Sequence, residues 1–585
     1  MMNKAILLVG LVALFLGGAF GQDVQQETFF RHPFHRLPHV LPHPHPHPHR
    51  PRVLPRPKYT GPLPPLPANL PEIVAGIDAC KTDLDTYLFN SNHPGFLLFI
   101  FYTLLPNRQS DRSPQHLATS RHTLNTKNQN ESNNVNYNND PTNISHIVIG
   151  IASSVELWKY RKPYIESWWQ PNITKGYLFL DREPTNFLPW PTSSSPPYRV
   201  SENTTKYKPY DKHPMKSFIR MVRVIVESVR ETCGDQGIRW YVIADDDTIL
   251  FLDNLVDVLQ KYDHNKYFYI GGNSESLLSN FDHSFKMAFG GGGYAISRPL
   301  AVALAKNLDV CIKRYTDFYA SDQFIQSCVA DLGVSLTREK GFHQIDLHND
   351  LLGFLSSHPQ APIISLHHLD RVDPLFPGMN RVEALNHLVK TANVDQSRLL
   401  QQTICYDKIK NWSFSIAWGY TSQIYEKIVP PSVLEMPLET FSAWKKPPQH
   451  PFIFNTRSLP KNPCDMPHVF FLQSLEKIDV KNQIVASYIQ RGAKNVTHNC
   501  SRSSTSSSLP RDIVKVIVIS PATKYFPEAG TRRECCDVVI DQVEKNVMRA
   551  NADRARMDQL KLMGPLILTG ILKSLYGTNN REAET

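Results

Sequence analysis

Three consecutive carboxylates, Asp245 to Asp247, follow an apolar run in the stretch RWYVIADDDTILF. Adjacent like charges repel each other and are costly to remove from water, so a bound cation is one way to stabilise them. Carboxylate oxygens are ligands that Mn²⁺ and Mg²⁺ accept. A divalent ion held there would also bind the phosphate groups of a ligand and neutralise a leaving diphosphate. The cluster therefore indicates metal-dependent chemistry on a phosphorylated compound.

Four interpretations of this cluster compete. The structural one is a polar strand end with capping carboxylates. A calcium loop requires the spacing D-x-D-x-D-G, which DDDTILFLD lacks. A phosphatase of the haloacid dehalogenase type requires D-x-D-x-T, and Thr248 comes one residue too early because it directly follows Asp247. The fourth interpretation is a nucleotide-sugar transferase, in which one or two of the carboxylates hold the ion.

The segments around the cluster alternate between two patterns. The apolar runs HIVIGIASS, GYLFLD, WYVIADDD and YFYIGG predict buried strands. The stretches LWKYRKPYIESWW, MKSFIRMVRVIVESVRETCG and NLVDVLQKY have the spacing of helices. This alternation predicts an α/β domain with a mainly parallel central sheet. Ligands of such sheets bind at the carboxyl ends of the strands, which is where the three aspartates stand.

Charge and cysteine content narrow the class of protein. The 585 residues carry a formal net charge of +9, without a long Lys/Arg block or a nucleic-acid motif. Nucleic acid is therefore not an expected partner, and the basic bias fits a solvated surface or a small anionic substrate. The nine cysteines include no CxxC pair, so a zinc site is not expected and a few disulfides are. The odd count leaves at least one thiol unpaired within the chain.

Further motifs follow the cluster in a fixed order: GGGGYAIS, YASDQF and LHHLD. With ISHIVIGIASS, YDHNKYFYIGGNSES, QQTICYDKIKNWSFSIAWGY and FNTRSLPKNPC they form a set that resembles the fringe-like glycosyltransferases, which are of the family 31 type. The set is most similar to the plant fringe-related family formerly labelled a domain of unknown function, and it runs from about Ser145 to Asp537. The resemblance implies a GT-A fold and inverting transfer from a UDP-sugar to a hydroxyl of a glycan, glycoprotein or small-molecule acceptor.

The resemblance also assigns roles to individual residues. Asp247 matches the metal-binding aspartate and His368 the histidine that joins the metal, with His367 as the alternative; the ion is Mn²⁺ or Mg²⁺. Asp322 matches the catalytic base that takes the proton of the acceptor hydroxyl. The physical alternative for Asp322 is an N-cap of the following helix. Many relatives have a second acidic residue where this chain has Gln323, so Asp322 is the only carboxylate at this spot.

Other residues are expected around the donor. Arg161 and Lys216 either contact its phosphates or are surface charges, and Trp168 and Trp169 either stack on the ligand or pack in the core. The residues expected to line the UDP-sugar are Gly150, Ser153, Asp245, Asp246, Gly291, Gly292 and Gly293. An alternative function is a secreted, catalytically weak carbohydrate-binding or cell-wall interaction protein, which Gln323 and the Pro/His-rich N-terminal part favour.

The N-terminal part indicates the secretory pathway. An apolar run from Ala5 to about Phe20 and small residues before Gln22 are typical of a signal peptide, with a signal anchor as the alternative. We therefore expect a Golgi lumenal or membrane-anchored protein, or a secreted one. N-x-S/T sequons agree with lumenal exposure. They are at Asn130, Asn143, Asn172, Asn203, Asn411, Asn495 and Asn499.

The chain divides into seven predicted segments. They are 1–21, a signal peptide or anchor; 22–67, a His/Pro-rich disordered segment; 68–106, a short helical and apolar segment that is prolamin-like or the remnant of an anchor; 107–144, a disordered stem; 145–372, the fringe-like catalytic domain; 373–540, a family-specific C-terminal region; and 541–585, a tail. Within the C-terminal region FSIAWGYTSQIY predicts one alternating strand, and the sequence after Asp537 has a helix-like pattern.

Overall fold

The computed structural model describes residues 140–207, 217–315, 318, 320–446, 449–491, 513–524, 535–540 and 547–553. All of them belong to one unit, Ile73–Thr585. The predicted signal peptide, the His/Pro-rich segment, the segment 68–106, residues 107–139 of the stem, Lys216 and residues 554–585 of the tail lie outside the described residues. Within the part of the chain that is described, none of the helices combines the length and the apolar character needed to cross a bilayer.

A seven-stranded sheet forms the centre of the N-terminal part, in the order β3-β2-β1-β4-β7-β6-β8. Every neighbouring pair is parallel except the two that β7 makes with β4 and β6. The predicted α/β class with a mainly parallel central sheet is thus confirmed. The strands of this part are β1 (Ile147–Ala152), β2 (Lys175–Leu180), β3 (Tyr198–Val200), β4 (Trp240–Asp245), β5 (Ile249–Leu250), β6 (Tyr269–Gly271), β7 (Tyr294–Ser297), β8 (Leu336–Arg338), β9 (Phe342–His343), β10 (Leu347–Asn349) and β11 (Ser365–Leu366).

Helices cover both faces of the sheet, which explains why its strands are apolar at successive positions. Side chains that alternate along a strand enter two different hydrophobic clusters: Val148 and Tyr241 pack with α2, α5 and α6, whereas Ile149 and Val242 pack on the opposite face. A disulfide between Cys311 of α5 and Cys328 of α6 joins two of these helices. The helices are α1 (Val155–Glu166), α2 (Phe218–Glu231), α3 (Leu252–Leu259), α4 (Leu277–Asp282), α5 (Arg298–Arg314), α6 (Ser321–Asp331), α7 (Leu352–Ser357) and α8 (Arg381–Ala392).

Two small sheets lie beyond the carboxyl end of β4. Strand β11 pairs with β5 on one side and with β9 on the other. Strand β10 pairs with β15 (Phe441–Ala443), which comes from the C-terminal part of the chain. These short pairings bring the LHHLD motif and a C-terminal segment next to the end of the central sheet.

The C-terminal part forms an eight-stranded sheet that closes on itself, in the order β12-β13-β14-β16-β17-β18-β20-β19. A disulfide between Cys405 and Cys536 joins the paired strands β12 and β19. The elements are β12 (Gln402–Asp407), β13 (Trp412–Ala417), β14 (Thr421–Tyr425), the short helix α9 (Pro431–Leu434), β16 (His468–Ile478), β17 (Gln483–Ile489), β18 (Lys515–Pro521), β19 (Cys535–Ile540) and β20 (Val547–Asp553).

Two sequence predictions for this part were wrong. The stretch FSIAWGYTSQIY is a hairpin of β13 and β14 and not one strand. Gly419, with a φ of +72°, lies in its turn, and both strands are buried throughout, so no alternation marks them. The helix-like pattern after Asp537 also fails where the chain is described, because Val547–Asp553 is a strand paired with β18 and β19. The closed sheet therefore extends past residue 540.

Candidate active site

The three aspartates lie in a tight turn between β4 and β5. Thr248 organises this turn: its Oγ1 accepts a hydrogen bond from the Asp245 N–H (3.0 Å) and donates one to the Gly291 carbonyl (2.7 Å). The indole N–H of Trp168 donates to the Thr248 carbonyl (2.9 Å). Asp246 and Asp247 are only 5% and 3% exposed. The turn thus holds a buried carboxylate group directly beside the glycine-rich loop.

Two basic side chains neutralise Asp247. The Arg161 guanidinium of α1 makes an ion pair with it, and its other nitrogen lies 3.0 Å from Asp370 Oδ2. His367 Nε2 lies 3.0 Å from Asp247 Oδ1. Burial by itself raises the pKa of Asp247, but the charges of His367 and Arg161 outweigh it and lower the pKa. Burial lowers the pKa of His367, and Asp247 more than reverses this, so the pKa rises to about 9.

The other two aspartates differ from Asp247 in their electrostatics. Burial raises the pKa of Asp245 to about 7 and that of Asp246 to about 6. The Ser153 hydroxyl donates a hydrogen bond to Asp246 Oδ2 (2.6 Å), which brings the end of β1 to the cluster. Near neutral pH Asp245 is therefore partly protonated, so the trio carries less than its formal charge, whereas Asp247 is fully ionised.

The two histidines of LHHLD have adjacent rings, with centroids 3.8 Å apart. His368 adopts a left-handed backbone conformation (φ 60°), and its Nδ1 lies 3.2 Å from Asp346 Oδ1. Trp444 stacks on the His368 ring at 4.6 Å with an interplanar angle of 6°. Asp247, His367 and His368 each offer one ligand atom, and these atoms lie within 4.8 Å of one another. One carboxylate and two imidazoles suit a divalent transition-metal ion such as Mn²⁺.

The two predicted histidine ligands differ in their contacts with Asp247. The sequence assigned His368 to the metal with His367 as the alternative, and the structure brings both rings to Asp247. The histidine in direct contact with Asp247 is His367, while His368 is directed at Asp346. The Nδ1 atom of His367 is buried and has no hydrogen-bond partner among the described residues. Both histidines stay predicted ligands on this geometry.

The glycine-rich loop passes between the two predicted catalytic groups. A Cβ atom added at Gly290 would lie 2.4 Å from Asp322 Oδ1, and one added at Gly291 would lie 2.1 Å from Cε1 of His367. No side chain fits at either position. Consecutive glycines thus let the loop run in contact with Asp322 on one side and with His367 on the other.

Asp322 lies in the first turn of α6 but does not cap that helix, because the N-cap residue is Ala320. Its Oδ2 accepts a hydrogen bond from the Gly290 N–H (2.8 Å), and the Ser321 hydroxyl lies 3.3 Å from Oδ1. Burial raises the pKa of Asp322. Gln323 points elsewhere and donates to the His283 carbonyl (3.4 Å). The N-cap alternative therefore fails, and Asp322 remains the predicted base.

Of the remaining predicted residues, some lie at the site and others pack in the interior. Gly292 and Gly293 lie in the loop: the Gly292 N–H donates to Gln344 Oε1 (2.6 Å), and Gly293 has a φ of +81°. Gly150 is not at the site. It lies within β1, where an added Cβ would meet the Ser228 hydroxyl of α2 at 2.5 Å, so this glycine serves close packing of helix on sheet. Trp168 is buried in the core, as its packing alternative predicted, and so is Trp169.

Sequence reasoning missed several side chains of the site. Asp346 and Gln344 lie in GFHQIDLH, where their polar character between apolar neighbours was the only signal. Asp370 ends the LHHLD motif and meets Arg161. Trp444 belongs to the segment after β15, and no pattern in the sequence connects it with His368. Through Trp444 the C-terminal part of the chain also contributes a side chain to the site.

Two family models match the chain. A model described as "Fringe-like" matches residues 142–371, which agrees with the predicted catalytic segment. A model described as "Protein of unknown function, DUF604" matches residues 279–536 and extends over most of the C-terminal sheet. Together the two matches span residues 142–536 and support the predicted similarity to fringe-related glycosyltransferases.

Curated relatives match a part of the chain. "Beta-1,3-glucosyltransferase" of Homo sapiens is 30% identical over 166 residues, which are 28% of this chain and 30% of that protein. The protein of the same name from Mus musculus is 30% identical over 141 residues, which are 24% of this chain and 27% of its own length. The chain thus spans less than a third of the length of these relatives. Among solved structures, core-mannan synthase A from Aspergillus fumigatus in its Mn/GDP form matches 33% of this chain and 73% of its own at 7% identity, with a TM-score of 0.21.

Proposed function

We propose that this protein is an inverting, metal-dependent glycosyltransferase that moves a sugar from a UDP-sugar to a hydroxyl group of an acceptor. The matches to the "Fringe-like" and "DUF604" models support the reaction class. The observation that carries the proposal is the position of Gly290 and Gly291 between Asp322 and His367. It joins a carboxylate base, a glycine-rich loop and a metal-ligating set in one place, which are the groups that such a transfer requires.

Each group has a definite role in this proposal. Asp247, His367 and His368 would hold Mn²⁺ or Mg²⁺, which supplies positive charge to the diphosphate of the donor. The backbone of Gly291 to Gly293 lines the donor, with Ser153 and Asp246 beside it. Asp322 accepts the proton of the acceptor hydroxyl. Its raised pKa strengthens it as a base, and the hydrogen bond from Gly290 fixes its orientation.

One contact favours a metal-independent form of the same function. Arg161 already neutralises Asp247, and its guanidinium can bind two phosphate oxygens at once. A protein that uses this charge in place of the ion would bind the donor in the presence of a chelator. The experiment below separates the two forms.

The compartment is part of the proposal. We infer that the protein acts in the secretory pathway, in the Golgi or after secretion. The disulfides Cys311–Cys328 and Cys405–Cys536 support this, because such bonds persist in oxidising compartments. The sequon residues Asn143, Asn172, Asn203 and Asn411 are all exposed, as glycosylation requires.

The test is release of UDP from a panel of UDP-sugars by purified protein, with and without Mn²⁺ and an acceptor mixture. We expect release with at least one sugar, its loss on chelation, and its loss in Asp247→Ala. Asp263→Ala, at an exposed aspartate of a loop, is the control. If UDP release survives chelation but is lost in Arg161→Gln, the Arg161 guanidinium and not a metal ion binds the diphosphate. Absence of UDP binding and of release across the panel, or glycan binding that needs neither metal nor UDP, would refute the proposal.

A further inference from the structure

A second group of metal-ligating side chains lies beside the candidate active site. It consists of Glu275 from the segment after β6, His343 of β9 and His358 at the end of α7. One ligand atom of each lies within 4.8 Å of the others. Glu275 and His343 are each only 3% exposed. No residue of the candidate active site belongs to this group.

Hydrogen bonds fix the proton on one nitrogen of His343. Glu275 Oε1 lies 2.8 Å from His343 Nδ1, and Glu275 Oε2 accepts the Ile345 N–H (2.7 Å). A carboxylate on Nδ1 holds the proton there, so that Nε2 presents a lone pair. This Nε2 is buried and has no partner among the described residues. A buried acceptor without a partner costs free energy, and few such groups occur in folded proteins.

The ring of His358 faces the same space. Its ring centroid is 5.6 Å from that of His343, and it packs against Phe354 at 4.6 Å and Phe454 at 4.2 Å. One of its ring nitrogens lies within 4.8 Å of the ligand atoms of Glu275 and His343. No hydrogen bond reaches its nitrogens from elsewhere in the described part of the chain. Two imidazoles thus share an aromatic-walled space that contains one carboxylate.

We propose that Glu275, His343 and His358 form a second, structural metal site whose natural occupant is Zn²⁺. Imidazole nitrogens and a carboxylate are ligands that zinc accepts readily, whereas Mg²⁺ and Ca²⁺ prefer oxygen ligands. A carboxylate that fixes the tautomer of a histidine is also the usual surrounding of a metal-ligating imidazole. The absence of a CxxC pair argues against a cysteine zinc site but not against a site built from His and Glu. The site is independent of the proposed transfer reaction.

A metal ion here would stabilise the support of the candidate active site. It would join the end of α7 to β9. Among the described residues, His358 of the first and His343 of the second make no polar contact with each other. The His343 carbonyl accepts the His367 N–H (3.1 Å), so β9 directly holds the strand that leads to the catalytic histidines. The loop after His343 carries Gln344 and Asp346, which contact Gly292 and His368. The expected role is thus rigidity and not participation in the reaction.

The experiment uses Asp247→Ala protein, so that the candidate active-site metal does not contribute. We expect about one zinc ion per chain by elemental analysis after purification without chelator. Co²⁺ added to stripped protein should give the visible absorption of a four-coordinate ion, and Zn²⁺ should restore the melting temperature that stripping lowers. Adding His358→Phe, which fills the space between two phenylalanines, should abolish all three signals, whereas adding His264→Phe should not.

Three results would overturn the proposal. They are an Asp247→Ala protein that contains no zinc and whose melting temperature does not respond to Zn²⁺, metal binding that survives His358→Phe, and metal that is equally lost with His264→Phe. The first of these requires no variant of the site itself, so a His358→Phe chain that fails to fold leaves the test intact. In each case the two imidazoles would be bridged by a water molecule, which is the other way to satisfy them.

Discussion

Two histidine–carboxylate clusters lie side by side in this protein, and they differ in charge. The active-site cluster contains Asp247, His367 and His368, and the structural cluster contains Glu275, His343 and His358. Neighbouring backbone strands carry them, and one hydrogen bond joins His367 to His343. The active-site cluster is surrounded by further carboxylates and an arginine. The structural cluster is walled by phenylalanine rings.

These surroundings produce opposite protonation states for the same side chain. The charge of Asp247 overcomes burial and raises the pKa of His367 to about 9, so this ring is a cation at neutral pH. Burial dominates at His358 and lowers its pKa. A metal ion must displace a proton from His367 and compete with Arg161 for Asp247, so its binding there depends on conditions. At the structural cluster the Nε2 atom of His343 has no hydrogen-bond partner among the described residues. The comparison suggests exchangeable metal at the first cluster and retained metal at the second.

The largest expected effect is a loss of turnover that leaves the structural cluster unchanged. Asp322→Asn removes the proposed base but keeps an oxygen for the Gly290 N–H, so kcat should fall about 10²- to 10⁴-fold. Binding of UDP with Mn²⁺ and the zinc content should both stay unchanged. Steady-state UDP release and calorimetric UDP binding measure the two effects.

Gln323→Asn is the matched control for this prediction, because Gln323 follows the base and its side chain donates to the His283 carbonyl (3.4 Å) and not to Asp322. Its turnover should stay close to that of the unmodified protein. If Asp322→Asn retains turnover, the base lies elsewhere. A parallel loss of UDP binding would instead mean that Asp322 supports the donor site.

A smaller effect, confined to the active-site cluster, is expected from Gly291→Ala. The new methyl group would meet the His367 ring at 2.1 Å, so the imidazole must move away from Asp247. Displacing a ligand in this way should weaken Mn²⁺ binding about 10- to 100-fold. Mn²⁺ titration followed by electron paramagnetic resonance measures it.

Gly234→Ala, where an added Cβ meets nothing within 4 Å, is the control for the effect of an extra methyl group. The zinc content of Gly291→Ala should stay at the level of the unmodified protein, since the structural cluster does not contact Gly291. Unchanged Mn²⁺ affinity in Gly291→Ala would exclude His367 as a ligand and leave His368.

Sequence patterns predict the part of this site that depends on local order. An apolar run that ends in carboxylates identifies β4 and its turn, because a strand buried on both faces must be apolar at every position. The spacing of the glycine-rich loop, Asp322 and LHHLD supplies the candidate residues. The alternation of such apolar strands with helices also predicts a mainly parallel central sheet, because helices on both faces of the sheet bury both sides of each strand.

The contacts between distant segments escape such reasoning. The structural cluster draws Glu275, His343 and His358 from three segments whose meeting depends on how β9, β11 and α7 pack. The ion pair of Arg161 with Asp247 depends in the same way on α1 lying beside β4. The closed sheet also depends on remote pairing, because β18 joins β20 and β12 joins β19 across long connections. Gly150 was misassigned because a glycine after a strand and one inside it look alike in sequence.

The smallest effect on metal affinity is expected from substitutions in the segment that contacts both clusters. Strand β15 carries Phe441, which contacts the Phe354 and Phe454 rings of the structural cluster, and Trp444 follows it and stacks on His368. Trp444→Leu removes the flat face that orients the His368 ring. A stacked pair contributes about 0.5–1.5 kcal/mol, so Mn²⁺ affinity should fall about 2- to 10-fold while the zinc content is kept.

Phe441→Leu, three residues earlier in the same segment, is the matched partner of this change. It should lower the melting temperature and loosen zinc without altering Mn²⁺ affinity, because Phe441 contacts the rings around His358 and not those around His367. Trp444→Phe should keep most of the Mn²⁺ affinity, since a phenyl ring still stacks on imidazole. If both leucine variants weaken both metals equally, β15 couples the clusters into one unit. If neither does, the stacking of Trp444 on His368 is packing without influence on the metal.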